Sequence, residues 1–277
     1  MALVKSTKPF AKFEWMIAWR YIRAKRAEGG VSVMTWISLI GVTLAVFALI
    51  ATLAVRSGFR AEFIDTIAGA NAHVTVVQPR GVIEDFEAAA ERVRGVDGVS
   101  SVAPLIRGQA MASGSGRIGL ADIYGIRLDD LKASDAIVQS ERTVGNIDDL
   151  ANGIAIGSAL ASNLGLGIGD RIELTTRSGA ATPMGQSTRR NAYEVVYIFS
   201  TGRFQIDEVR VYLPFDVAQL VLNRDGVADE LEVRLDDLNQ SEDLKQTIAD
   251  VAGPGMWAYS WQDRVGRFLR ALTIEDN

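Results

Sequence analysis

The stretch VSVMTWISLIGVTLAVFALIATLAV, Val31 to Val55, runs 25 residues without one charged side chain. As a helix it reaches about 37 Å at 1.5 Å per residue, more than the hydrocarbon thickness of a bilayer. A buried core helix is one competing reading, but core helices seldom extend so far without a polar face. A cleaved signal peptide is the other, and its apolar region is only about 7 to 15 residues behind a short n-region. The stretch is therefore read as a transmembrane helix, residues 31–57, that continues past the bilayer to Ala68 and stops at Gly69. No second run reaches about 18 apolar residues: Ile154 to Gly169 comes nearest, and Ser158, Ser162, Asn163 and three glycines interrupt it.

Charge is distributed unevenly around this span. Residues 1–30 hold seven basic side chains (Lys5, Lys8, Lys12, Arg20, Arg23, Lys25, Arg26) and two acidic ones, within a chain of net charge -5. The positive-inside rule keeps this segment in the cytoplasm and sends everything after Arg56 outward, which in a bacterial inner membrane is the periplasm. Phe13, Trp15, Met16, Trp19, Tyr21 and Ile22 interleave with the basic residues, as in an amphipathic helix at headgroup level or a plain juxtamembrane anchor. The excess of acidic over basic residues excludes a general nucleic-acid binder, and 48% hydrophobic content excludes disorder as the main state. Without cysteine there is no disulfide framework and no thiolate metal site.

Beyond the span, short strands alternate with short helices. His73–Gln78 is β-branched and bounded by Asn71 and Pro79, while Asp85–Val93 places Phe86, Ala89, Ala90 and Val93 on one helical face. Strands are expected at Val99–Val102 and Ile106–Ala112, broken by Pro104, and after the turn Ser113–Gly116 at Gly119–Ile126. A compact unit follows: strand Gly153–Ile156, helix Ser158–Leu164 with Ser158 as its N-cap, and strand Arg171–Thr176 entered through a turn closed by Asp170. Tyr193–Phe199, Val209–Leu213 and Leu231–Leu235 read as strands, Asp216–Leu222 and Asp243–Val251 as helices. The expected class is α+β: one N-terminal transmembrane helix, then a mixed α/β ectodomain of two lobes over residues 58–262.

Catalytic patterns are missing. There is no G-x-x-x-x-G-K-[ST] string, so nucleotide is not bound by a P-loop. Gly165-Leu166-Gly167-Ile168-Gly169-Asp170 follows a helix and precedes a strand, the reverse of the dinucleotide-binding order. His73 is the single histidine and has no metal-binding partner in the sequence, which makes it a hydrogen-bonded structural residue. Ser158 lacks the G-x-S-x-G elbow. The pairs Asp129-Asp130 and Asp148-Asp149 read as helix-start or solvated-loop charges. Neither catalysis, a metal nor a cofactor is expected.

One loop stands apart. Between Thr176 and Tyr193 lies SGAATPMGQSTRRN, too long for a tight hairpin, with Pro183-Met184-Gly185 at its tip. Pro183 fixes φ and Gly185 permits a sharp turn, presenting Met184 as a soft apolar contact. Arg177, Arg189 and Arg190 on the arms suit an acidic partner surface, against the alternative of a solvated hairpin with no partner.

These residues resemble a known family. The string WRYIRAKR, the span opening Val33-Met34-Thr35-Trp36-Ile37-Ser38 with Ile40-Gly41-Val42-Thr43-Leu44, and Ser57-Gly58-Phe59 followed by Glu62 are similar to the lipoprotein-releasing ABC permeases of the LolC and LolE type. Gly157, Leu160-Ala161, Leu164-Gly165 and Gly169-Asp170 match a recurrent ectodomain segment of that family. Thr182-Pro183-Met184-Gly185 looks like the hook of the LolC type, placed at 178–190 here.

The resemblance implies a non-catalytic permease subunit of a mechanotransmission-type exporter. A separate LolD-type ATPase and a second permease subunit, LolE-like or identical, would complete the machine. It would extract acylated lipoproteins from the inner membrane and pass them to a periplasmic LolA-type chaperone. By matching, Thr182, Pro183, Met184 and Gly185 contact the chaperone, with Arg189 and Arg190 beside them. Phe47, Ile50, Leu53, Ala54 and Phe59 face lipid or lipoprotein. Family members have four spans, and Leu272–Asn277 falls where the second would begin. A chain truncated before that span is therefore expected, with residues 263–277 as a helix leading toward it. The alternatives are a MacB-like efflux permease without the hook and a single-span periplasmic receptor or structural protein.

Overall fold

A computed structural model describes residues 12–23, 29–69, 72–138, 143–177, 181–182 and 185–263. The chain divides into two compact units, Met1–Phe63 and Ile64–Asn277. The helices before the α/β domain are α1 (Lys12–Arg23) and α2 (Gly29–Gly69), the latter 41 residues long. Within α2, Val33–Gly58 is long and apolar enough to cross a membrane. Helix α2 is described as far as Gly69, and residues 70–71 lie outside the described residues.

The α/β domain begins with β1 (Val74–Val77), α3 (Phe86–Arg94), β2 (Val99–Gly114) and β3 (Arg117–Ile126). It continues with α4 (Leu128–Lys132), α5 (Asp135–Val138), β4 (Val144–Gly145), a 3-10 turn (Ile147–Asn152), β5 (Ile154–Gly157) and α6 (Ser158–Leu164). Next come β6 (Arg171–Thr176), β7 (Ala181–Thr182), β8 (Gly185–Gln186), β9 (Arg189–Phe199), α7 (Phe204–Asp207) and β10 (Arg210–Pro214). The described chain closes with α8 (Phe215–Leu222), β11 (Glu230–Leu235), a 3-10 turn (Leu238–Gln240), α9 (Ser241–Ala252) and β12 (Trp257–Ser260).

The main sheet runs in the order β12-β1-β11-β2-β3-β10-β5-β9-β4, with β6 pairing β2 and β9. Two halves share β2, whose residues up to Leu105 pair with β11 and whose residues from Ile106 pair with β3. Pairing is antiparallel except between β10 and β3 and between β5 and β9. Alternation along each strand produces two cores. Val76, Val102, Ile123, Val211 and Leu231 pack in the first, which also takes in the buried faces of α3, α6, α8 and α9. Leu105, Tyr124, Phe199 and Tyr212 form the second with Leu131, Ile137 and Leu150. In α3 the buried residues are Phe86, Ala89, Ala90 and Val93, the face expected from the 3.6-residue period.

Four expectations are corrected. Pro104 does not break a strand: β2 is continuous over 16 residues, and Pro104 lies opposite Leu231 where β3 has not yet begun to pair, so proline removes a donor from a stretch with one neighbouring strand. Ser158 is not the N-cap of α6; Gly157, extended at φ -68 and ψ 146, holds that place without a side-chain hydrogen bond. The loop after β6 is shorter than read, because β9 starts at Arg189 and pairs back as far as Thr176. The turn between β2 and β3 narrows to Ser115-Gly116, both at positive φ (49° and 76°), the conformation that a two-residue hairpin matching strand twist requires.

Candidate functional site

The apolar helix is the first feature with functional content. Phe47, Ile50, Leu53 and Ala54 are all exposed on α2, and Phe47, Ile50 and Ala54 follow an i, i+3, i+7 stripe. The side chain of Phe59 lies outside the described residues. The hydroxyls of Thr43 and Thr52 donate to the carbonyls of Leu39 and Ala48, each at 2.8 Å, so both are satisfied within the helix. That is what a segment surrounded by hydrocarbon needs. On α1, Phe13, Trp15, Met16 and Trp19 are exposed as well.

The hairpin after β6 is the second feature. Its arms are the β6–β9 ladder, ending at Thr176 opposite Arg189. Beyond it β7 and β8 pair again, Ala181 with Gln186 and Thr182 with Gly185, leaving a two-residue connection. That connection is Pro183-Met184, which lies outside the described residues. Thr182 and Gly185 are thus register partners, and the strand pairing extends almost to the tip.

The two arginines of the arms have partners within the chain. Arg189 points to the inner face and donates through Nη1 to the carbonyl of Leu220 on α8, tying the base of the hairpin to that helix. Arg190, on the outer face, reaches Glu173 at 3.5 Å, with both side chains largely in solvent. The outer face continues across the sheet through cross-strand partners: Arg190 opposite Thr175, Thr175 opposite Met111, Met111 opposite Leu120. Met111, Ile118 and Leu120 are exposed there. Sequence reading passed over these three because their strand pattern resembles an ordinary half-buried hairpin.

A polar cluster is buried where the two halves of the sheet meet. Arg210, 7% exposed, donates to the hydroxyls of Tyr212 (3.3 Å) and Tyr124 (3.1 Å), with its guanidinium 4.4 Å from the Tyr124 ring centre. Arg107 stacks on the same ring at 3.7 Å and pairs with Glu230 at 3.0 Å. Burial, and then the neighbouring Glu230, raise the pKa of Glu232, and burial pushes Tyr212 up to about 12. The adjoining cavity of about 20 Å³ has room for roughly one water, so the cluster reads as structural.

No reactive centre assembles among the described residues. Among the described residues no group of three or more His, Asp or Glu side chains is placed to hold a metal ion. His73 Nδ1 accepts from the Leu235 amide at 3.0 Å. Asp129 and Asp130 lie in the first turn of α4, and Asp148 and Asp149 in the first turn of the 3-10 segment Ile147–Asn152. Gly165 and Gly169 take positive φ in the connection from α6 to β6, and Asp170 Oδ2 accepts from the Gly167 amide at 2.8 Å. These are turn-forming roles.

The family model for the MacB-like periplasmic core domain matches residues 35–251. The lipoprotein-releasing system transmembrane protein LolC of Xylella fastidiosa, strain Temecula1, is 30% identical over 236 residues, covering 84% of this chain and 56% of that protein. LolC of Neisseria meningitidis serogroup B is 26% identical over 266 residues, 95% of this chain and 64% of its own length. The chain therefore spans a little over half the length of these curated relatives. The periplasmic region of MacB from Actinobacillus actinomycetemcomitans, a solved structure, aligns with 76% of this chain and 98% of its own at 11% identity and a TM-score of 0.49.

Proposed function

Because this chain belongs to the family built on the MacB-like periplasmic core domain, we propose that it is a permease subunit of an ATP-driven lipoprotein-releasing ABC transporter. The observation that carries this reading is the pairing of Ala181–Thr182 with Gly185–Gln186 beyond the β6–β9 ladder, on either side of Pro183-Met184 in the sequence, in a chain 30% identical to a LolC protein over 236 residues. A catalytic centre is not needed for such a role, since hydrolysis belongs to a LolD-type ATPase partner. A second permease subunit, LolE-like or identical, completes the membrane part.

In this reading α2 crosses the bacterial inner membrane with residues 1–30 in the cytoplasm, 31–57 in the bilayer and 58–262 in the periplasm. The helix expected over 263–277 lies, beyond Asp263, outside the described residues. Phe47, Ile50, Leu53, Ala54 and Phe59 meet the acyl chains of a lipoprotein. Thr182, Pro183, Met184 and Gly185 engage a LolA-type chaperone, and Arg190 offers charge beside them. Arg189 serves mainly to fix the hairpin on α8, because its guanidinium is already engaged there.

The test is calorimetric titration of the full chain, reconstituted in nanodiscs, with its cognate LolA-type chaperone, beside the variant Pro183→Ala/Met184→Ala. Saturable binding that disappears in a variant with an unchanged melting temperature supports the reading. A folded wild-type chain that does not bind the chaperone refutes it and favours a MacB-like efflux permease, consistent with the description of the matching family.

A further inference from the structure

The segments that lead into and out of the α/β domain are fastened to each other. β1 and β12 are antiparallel neighbours with Val74 opposite Ser260, so the first residues of the domain and the last described ones share one end of the ladder. The His73 carbonyl accepts from the Trp261 amide at 2.9 Å, one step beyond the ladder. On its other side, His73 Nδ1 accepts from Leu235 of β11.

Residues 260–263 add a device that the sequence carried as Ser260-Trp261-Gln262-Asp263. The Ser260 amide donates to Asp263 Oδ2 at 3.0 Å, and the Asp263 amide donates back to Ser260 Oγ at 3.2 Å. This reciprocal pair is a capping box with aspartate in the third position, and residues 261–263 are helical after it. The box is held from α9. Ser260 Oγ donates to Glu242 Oε2 at 2.7 Å, and Lys245 Nζ bridges Glu242 and Asp263, the latter at 2.9 Å. Trp261 is buried, with its indole N–H directed at the Leu238 carbonyl at 3.4 Å.

A four-residue edge strand such as β12, with Trp257 and Tyr259 exposed and one neighbouring strand, is weakly held by its own ladder. Tension applied at Ser260 acts on the terminal pair first and would peel the ladder one pair at a time. The contacts around Ser260 and Trp261 intercept that tension and hand it to α9 and to residue 73. We propose that residues 257–263, β1 and residues 241–245 of α9 form a single clasp that opens only as one cooperative unit. The clasp is indifferent to cargo and does not rest on the lipoprotein reading.

Amide hydrogen exchange on the full chain in nanodiscs tests it, comparing wild type with Asp263→Ala and Lys245→Met. In the wild type, peptides covering 257–263 exchange at the same rate as those covering β1, as one cooperative unit. Asp263→Ala accelerates 257–263 and β1 together by about tenfold or more while the β2–β3 peptides keep their wild-type rates. Lys245→Met, which alters one partly exposed side chain and leaves the core intact, gives a smaller acceleration shared by 257–263 and β1. Faster exchange of 257–263 than of β1 in the wild type overturns the proposal, as does wild-type exchange of 257–263 in Lys245→Met.

Discussion

Gly125 faces α8 with no room for a side chain, and adding one methyl group there tests whether α8 is placed as described. A Cβ at Gly125 would lie 2.2 Å from the Ala218 Cβ and 3.0 Å from the Ile106 Cβ. Carbon atoms in contact prefer about 3.5–4.0 Å, so α8 must withdraw by about 1.5 Å or β3 must buckle. Overpacking of this kind costs about 1–3 kcal/mol, which for a domain of this size lowers the melting temperature by roughly 3–10 °C. Ala218→Gly alone is also destabilising by about 1–2 kcal/mol, through a lost buried methyl and a helical glycine. Combined with Gly125→Ala it vacates the space the new methyl needs. The double variant should therefore be more stable than the sum of the singles by about 1–3 kcal/mol. Urea unfolding of the four proteins in one detergent, followed by tryptophan fluorescence, measures the cycle. A Gly125→Ala midpoint equal to wild type, or strictly additive effects, would refute the close approach of β3 and α8.

The two hairpin arginines should separate in the same assay. Arg189→Ala removes a charged donor from the Leu220 carbonyl and should destabilise by about 1–2 kcal/mol, whereas Arg190→Ala breaks an exposed pair with Glu173 and should stay within about 0.5 kcal/mol. Equal effects would contradict the anchoring role of Arg189. His73 should make stability depend on pH. Burial, followed by the Arg234 charge, lowers its pKa, so its contribution is complete above the unfolded value of about 6.5 and is lost as pH falls through the lower folded value. His73→Asn keeps an acceptor for the Leu235 amide without a proton to take up, and the difference in urea midpoint between pH 7.5 and pH 5 should shrink; an unchanged difference would clear His73 of the effect.

Local signals were enough for much of this architecture. The apolar run at Val31–Val55, the helical face of α3 and the bounds of β6 were readable because each depends on residues a few positions apart. β12 escaped because Trp257-Ala258-Tyr259-Ser260 is short and lacks β-branched residues, and its pairing with β1 is set by distant chain. The outer arms of the hairpin looked like open loop because Ser, Gly and Arg have little intrinsic strand preference, yet Arg189 to Ala192 are held by the β6 ladder. The anchoring of Arg189 was invisible for a related reason: a basic side chain beside a loop points toward a partner on average, and only the placement of α8 reveals an internal acceptor. Proline misled at position 104 because its usual effect assumes neighbouring strands on both sides.

The position of β1 between β11 and β12 also bears on how the chain is made. His73 and its acceptor role for Leu235 are separated by 162 residues, and β12 follows later still. At ribosomal rates of about 5–20 residues per second, the first strand waits roughly ten to thirty seconds before either neighbour exists. During that interval Val74-Thr75-Val76-Val77, a β-branched run without charge, has both edges open to any other nascent chain. The domain's earliest strand thus waits for two of its latest, and its safe assembly depends on whatever accompanies the emerging chain until Leu235 and Ser260 arrive.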